Sequence, residues 1–132
     1  MTADTKMPPY LPYPRFLMKA DLALATKLVY AVLLDSAQLS QANGWADDNG
    51  QIYIVFPIFE IANAIDRSPM TVKNALNELE TAGLIERRRR GQSQPNRIYV
   101  KIPDGQDIVR LMDKKLAPRQ KIVLLMDRKL SL

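Results

Sequence analysis

Thr71, Lys73, Asn74 and Asn77 place four polar side chains within seven consecutive positions. An asparagine amide offers a donor and an acceptor side by side, the pattern that matches an adenine edge, whereas lysine and threonine suit phosphate oxygens. Shortly afterwards Glu86 is followed by Arg87, Arg88, Arg89 and Arg90, and Gln92, Asn96 and Arg97 continue the polar, basic character. Guanidinium groups at this density suit a polyanion. With Ser68 and Met70 at the edge of the first group, these thirteen side chains are the candidate contact set.

Side chains act together only if an element presents them together. Ser68 can cap the first free backbone donors of a helix and Pro69 fits its first position, while Gly83 fits the residue beyond its end, where φ > 0 is favoured. Val72, Ala75, Leu76 and Leu79 fall at helical spacing on one face, which throws the polar set onto the other. Just upstream, Ile58 to Ile65 predicts a short helix with Ile58, Ile61, Ala62 and Ile65 inward, and Asp66-Arg67 leads directly into Ser68. Two helices joined by so short a turn make a helix-turn-helix. Beyond Gly83, Leu84 to Arg90 and Arg97 to Ile102 read as strands of a hairpin with a flexible basic tip. On such a strand successive arginines alternate faces, so only some of them reach a ligand at once, with Ile85 inward and Arg90, Gln92 and Arg97 toward the partner.

The rest of the chain supplies the support. Residues 1–15 are rich in proline and predict an extended arm, with Tyr10 and Tyr13 packing on their own domain. From about Asp21 to Leu39, Leu28, Val29, Val32, Leu33 and Leu39 form the apolar stripe of a first helix. Asn43-Gly44 and Asp47-Asp48-Asn49-Gly50 mark turns, and Ile52 to Phe56 reads as a third strand. The expected fold is therefore α+β, a winged helix-turn-helix with three core helices, a small antiparallel sheet and a hairpin wing spanning residues 16–102. Residues 103–132 follow as a helical tail. In it Ile108 to Leu116 recurs 14 residues later as Ile122 to Leu130, with Pro118 between, so two short helices or one kinked helix are expected, docked on this domain or on a second copy.

The 132 residues suit one small domain. With no cysteine and no histidine, a disulfide framework, a structural zinc and a His-based catalytic site are excluded. Asp47 with Asp48 is the closest acidic grouping, and it is expected to cap its turn, not to hold a metal. No nucleophile and base stand out as a pair, so neither catalysis nor a cofactor is expected. The expected location is the cytoplasm, since the amino terminus has no apolar run behind a basic region and no segment approaches the roughly 20 apolar residues of a membrane span. Charge is unevenly spread: residues 1–67 carry a net −2, residues 68–101 a net +4 and residues 102–132 a net +3, within the overall +5. The excess begins at Ser68, which favours double-stranded DNA as the partner.

Roughly residues 10–102 resemble the amino-terminal domain of RepA-type plasmid replication initiators. The likeness rests on Tyr13-Pro14-Arg15-Phe16-Leu17, Ala25 to Asp35, Leu39-Ser40 with Asn43-Gly44-Trp45, Gly50 to Ile54, and the hairpin from Gly83 through Gly91 to Pro95-Asn96-Arg97-Ile98-Tyr99-Val100. The resemblance implies a winged helix that binds repeated sites at a plasmid origin, commonly as a homodimer, and positions the replication machinery. It also implies a carboxy-terminal domain that contacts host replication proteins; with the sequence ending at Leu132, a fragment or a shortened relative is expected. A transcriptional repressor on the same fold would bind a single operator, and a winged helix used only for protein contacts would show little salt-dependent affinity for DNA. The four arginines and the small polar helix face count against the last.

Overall fold

The computed structural model describes residues 1–91 and 96–112. A 3-10 turn at Arg15–Met18 precedes helices α1 (Leu24–Ala42), α2 (Ile58–Ile65) and α3 (Pro69–Thr81), a hairpin of β1 (Ile85–Arg88) and β2 (Arg97–Val100), and helix α4 (Gly105–Leu111).

The boundaries of α3 follow from local chemistry. Ser68 is extended and its hydroxyl oxygen accepts from the Thr71 backbone N–H at 3.2 Å, while Pro69 occupies the first position. Gly83, at φ +78°, turns the chain out of the helix. Helix α2 ends on Asp66 in the left-handed conformation, φ 55°, and the Arg67 N–H donates back to the Ala62 carbonyl at 3.1 Å. Only Asp66, Arg67 and Ser68 therefore separate the two helices of the helix-turn-helix.

Helix α1 lies across α3, with α2 against both. Val29, Tyr30 and Leu33 of α1 meet Ile61 of α2 and Val72, Leu76 and Leu79 of α3 in one core, closed from the hairpin side by Leu84, Ile85 and Ile98. The Tyr30 ring stands edge-on to Phe16 at 5.7 Å, and its hydroxyl donates to the Lys101 carbonyl at 2.8 Å, so this buried polar group is satisfied. Helix α1 begins three residues later than its apolar pattern suggests. Asp21 donates its N–H to the Leu111 carbonyl, and Ala23, which has no capping side chain, donates its N–H to Glu78 Oε1 of α3 at 3.0 Å. A carboxylate two helices further along the chain thus caps α1, as suits a helix N-terminus.

Three expectations need correction. Leu39 does not join the core: α1 runs on to Ala42, and this side chain is 62% exposed. Tyr10 does not pack on the domain either, being 76% exposed in the extended arm. The third strand shrinks to one residue. Ile54 exchanges both backbone bonds with Ile98, each 2.9 Å, but Ile52 is already bridged to Ala46 and Pro57 leads straight into α2. The sheet proper is the β1-β2 hairpin, with Ile85 opposite Val100, Glu86 opposite Tyr99, Arg87 opposite Ile98 and Arg88 opposite Arg97.

In the tail, Asp104 and Asp107 form a reciprocal capping box that starts α4 before Ile108. Ile108 and Met112 are buried, and Met112 pairs with Ala20 as an isolated bridge, so residues 108–112, the described part of the first repeat copy, leave the helix at Met112 and pack on this domain. The second copy lies outside the described residues. No helix among the described residues is long and apolar enough to cross a membrane.

Candidate nucleic-acid interface

The polar face of α3 is built as the spacing requires. Val72, Ala75, Leu76 and Leu79 are buried, whereas Met70, Lys73, Asn74 and Asn77 are exposed and Thr71 is half-buried. The Thr71 hydroxyl also lies 3.0 Å from that of Ser68, which ties both to the cap and leaves Lys73 and Asn74 as the freer outward groups.

The hairpin sorts its arginines by strand alternation. Arg87 turns to the α3 side, where its Nη2 donates to Asn77 Oδ1 at 2.8 Å and to Glu80 Oε1 at 2.9 Å, while its backbone N–H donates to Glu80 Oε2 at 3.1 Å. These hydrogen bonds hold the Glu80 carboxyl below the usual carboxylate range. They also lock the wing to the helix. With its oxygen taken by Arg87, Asn77 keeps its NH2 donors for other partners.

Arg88 points to the opposite face. It grips Glu86 through two bonds of 3.2 Å and stacks over the Tyr99 ring, 4.4 Å from its centroid. The bonds from Arg88 lower the Glu86 pKa and raise that of Arg88. Opposite it, Arg97 lies 4.0 Å over the Tyr53 ring. Asp47 sits behind this face, accepting from the Asn49 and Gln51 N–H groups and from the Tyr99 hydroxyl, each at 2.9 Å. Those bonds, the one from Gln51 foremost, lower its pKa, and they make Asp47 the cap of its turn. Among the described residues no group of acidic side chains could hold a metal ion.

Strand β1 stops at Arg88, so Arg89 and Arg90 project beyond it as exposed cations with no hydrogen bond or ion pair among the described residues. Asn96 is exposed at the return of the hairpin, and Gln92 lies outside the described residues. Ile85 is buried as expected. The candidate set thus separates into an outward group (Met70, Lys73, Asn74, Arg89, Arg90, Asn96), a group held by internal partners (Ser68, Thr71, Arg87, Arg88, Arg97), and Asn77, which is exposed but bonded to Arg87. Sequence reasoning passed over Arg67, exposed in the turn before the cap with its Nη1 on the Asp66 carbonyl at 2.9 Å. A basic residue abutting the cap of α3 was the available signal.

A helix-turn-helix whose second helix is followed by a basic two-stranded hairpin is a winged helix. Residues 9–108 match the family model for the N-terminus of replication initiator protein A (RepA), and the chain belongs to that family. No curated protein matches it significantly. Solved structures similar to it include one described as the N-terminal domain of a DNA-binding protein, with a TM-score of 0.68 and 22% identity over 94% of this chain and 88% of the other. A Rep–DNA complex (TM-score 0.66, 22% identity, 94% of this chain and 89% of that one) and an MDR initiator (TM-score 0.63, 22% identity, 92% and 89%) share the same fold.

Proposed function

We propose that this domain binds double-stranded DNA with sequence preference, α3 entering the major groove and the wing resting on phosphates, and that its sites are repeats in a plasmid replication origin. The observation that carries this reading is the Glu80–Arg87–Asn77 lock, which fixes a basic wing beside the outward face of α3. An exposed polar helix face and a row of cations held at one relative pose are what combined reading of base edges and backbone needs. Membership of the initiator family and the likeness to a Rep–DNA complex support it. In this reading residues 16–102 form the DNA-binding unit, acting in the cytoplasm as a homodimer, and host replication proteins are recruited through a carboxy-terminal domain.

The test is selection of bound sequences from random DNA with the wild-type chain and with Asn74→Ala and Asn77→Ala. A defined site for the wild type, clustered as evenly spaced copies in one replicon, is expected. Each alanine variant should lose about 1 to 3 kcal/mol of discrimination at one base pair. A wild-type chain with no preferred sequence would overturn the proposal, and variants with unchanged profiles would remove the asparagines from it.

A further inference from the structure

The wing face turned away from α3 contains two arginines, Arg88 and Arg97, paired directly opposite each other on neighbouring strands. Like charges in that arrangement repel. Each is nevertheless held on a tyrosine, Arg88 on Tyr99 and Arg97 on Tyr53, and the two rings touch at a centroid distance of 6.2 Å. The two cations differ in one respect. Arg88 has Glu86 as a partner, whereas Arg97 has no carboxylate among the described residues, and its buried Nε finds no acceptor there. A donor sealed in this way is uncommon and calls for an explanation. Both arginines, with Arg89 and Arg90, border a shallow pocket of about 280 Å3 whose other walls include Asp47 and Asp48. Asp47 is occupied by Tyr99 and its own turn, so the cations outnumber the acidic groups left to answer them.

We infer that Tyr53 is a positioning residue for DNA binding: its ring holds the Arg97 guanidinium flat beside Arg88, making a two-cation seat for a backbone phosphate flanking the groove that α3 reads. The Nε end of Arg97 is sealed, so its terminal amino groups meet the phosphate. A guanidinium fixed on an aromatic face loses less freedom on binding than one on a mobile stem, and it presents a planar fork to phosphate oxygens. The anion also relieves the repulsion between the paired arginines. This inference rests on the DNA-binding reading and adds a residue, Tyr53, that touches no DNA itself.

The experiment measures affinity for a mixed-sequence duplex against salt concentration, using the full chain and its Tyr53→Phe, Tyr53→Leu, Arg97→Gln and Tyr53→Leu/Arg97→Gln variants. Tyr53→Phe keeps the ring and should match wild type. Tyr53→Leu and Arg97→Gln should each lower the magnitude of the log–log slope by about 0.9, the share of one phosphate contact, and the double variant should lose no more than either alone. The Arg97 Hε resonance, displaced upfield by the ring in the wild type and in Tyr53→Phe, reports the stack without DNA; its retention in Tyr53→Phe shows that position 53 can be varied within a folded domain. A Tyr53→Leu slope equal to wild type, or additive losses in the double variant, would overturn the inference while leaving the DNA-binding reading standing. Failure of the wild-type chain to bind the duplex with any salt dependence would overturn both.

Discussion

Neutralising the two wing arginines that have no partner among the described residues should remove more salt-dependent affinity than neutralising one that is pinned. Arg89 and Arg90 stand beyond the end of β1, exposed, whereas Arg87 spends its guanidinium on Glu80 and Asn77. If each free arginine meets one phosphate, the Arg89→Gln/Arg90→Gln variant loses two contacts, and the slope of log affinity against log salt should fall in magnitude by about 1.8. Between about 50 and 200 mM salt that is roughly a tenfold smaller loss of affinity for the variant than for wild type. Arg87→Gln should change the slope by less than half as much, since its charge is already offset by Glu80. Its effect should appear in sequence preference, because Asn77 loses the bond that orients its amide. Fluorescence anisotropy on one labelled duplex across a salt series measures all three proteins. An Arg87→Gln slope reduced as far as that of the double variant would refute the division of the wing into pinned and free cations.

Other consequences concern the scaffold. Leu79 is fully buried between α1 and the hairpin, so Leu79→Ala should destabilise the domain by about 2 to 5 kcal/mol in urea unfolding. Ser68→Ala removes the acceptor of the Thr71 N–H and should cost about 1 kcal/mol, with faster amide exchange confined to the first turn of α3. The Glu80 pKa is depressed in the folded chain, so its contribution is fully present above the unfolded carboxyl value and is lost as pH falls through the folded one. Because the ion pair is partly exposed, the amount is about 0.2 to 1 kcal/mol, visible as a shallower acid limb of stability for Glu80→Gln below about pH 4.5.

Where local chemistry determines structure, the sequence was sufficient. Ser68, Pro69 and Gly83 bracket α3, and the inward positions of α2 and α3 follow from spacing alone, since each signal acts within a turn or two of itself. The shortfalls share a cause in contacts between distant segments. The start of α1 depends on Glu78 and Leu111, neither of which its own apolar pattern can reveal. Leu39 has the right period, but Ala37 and Ser40 are the positions α1 turns toward the domain there, which leaves Leu39 on the outer side. Ile52 to Phe56 has the composition of a strand, yet the bridge to Ala46 and the entry to α2 leave a single residue to pair. For the interface, the outward residues of α3 were legible from helical geometry. The division of labour among the arginines was not, because it is decided by Glu80, Tyr53 and Tyr99 across the fold.

Helix α3 is held in place by residues other than the three that stand outermost near its start. Glu78 joins it to the start of α1, Glu80 joins it to the wing, and the buried leucines and valine seat it in the core. Met70, Lys73 and Asn74 take no part in any of this. On the proposed DNA-binding reading the helix would act as an exchangeable cartridge: a designer, or a plasmid diverging from its neighbours, could rewrite those three positions to address a new target while the bonds from Glu78 and Glu80 keep the helix in its place.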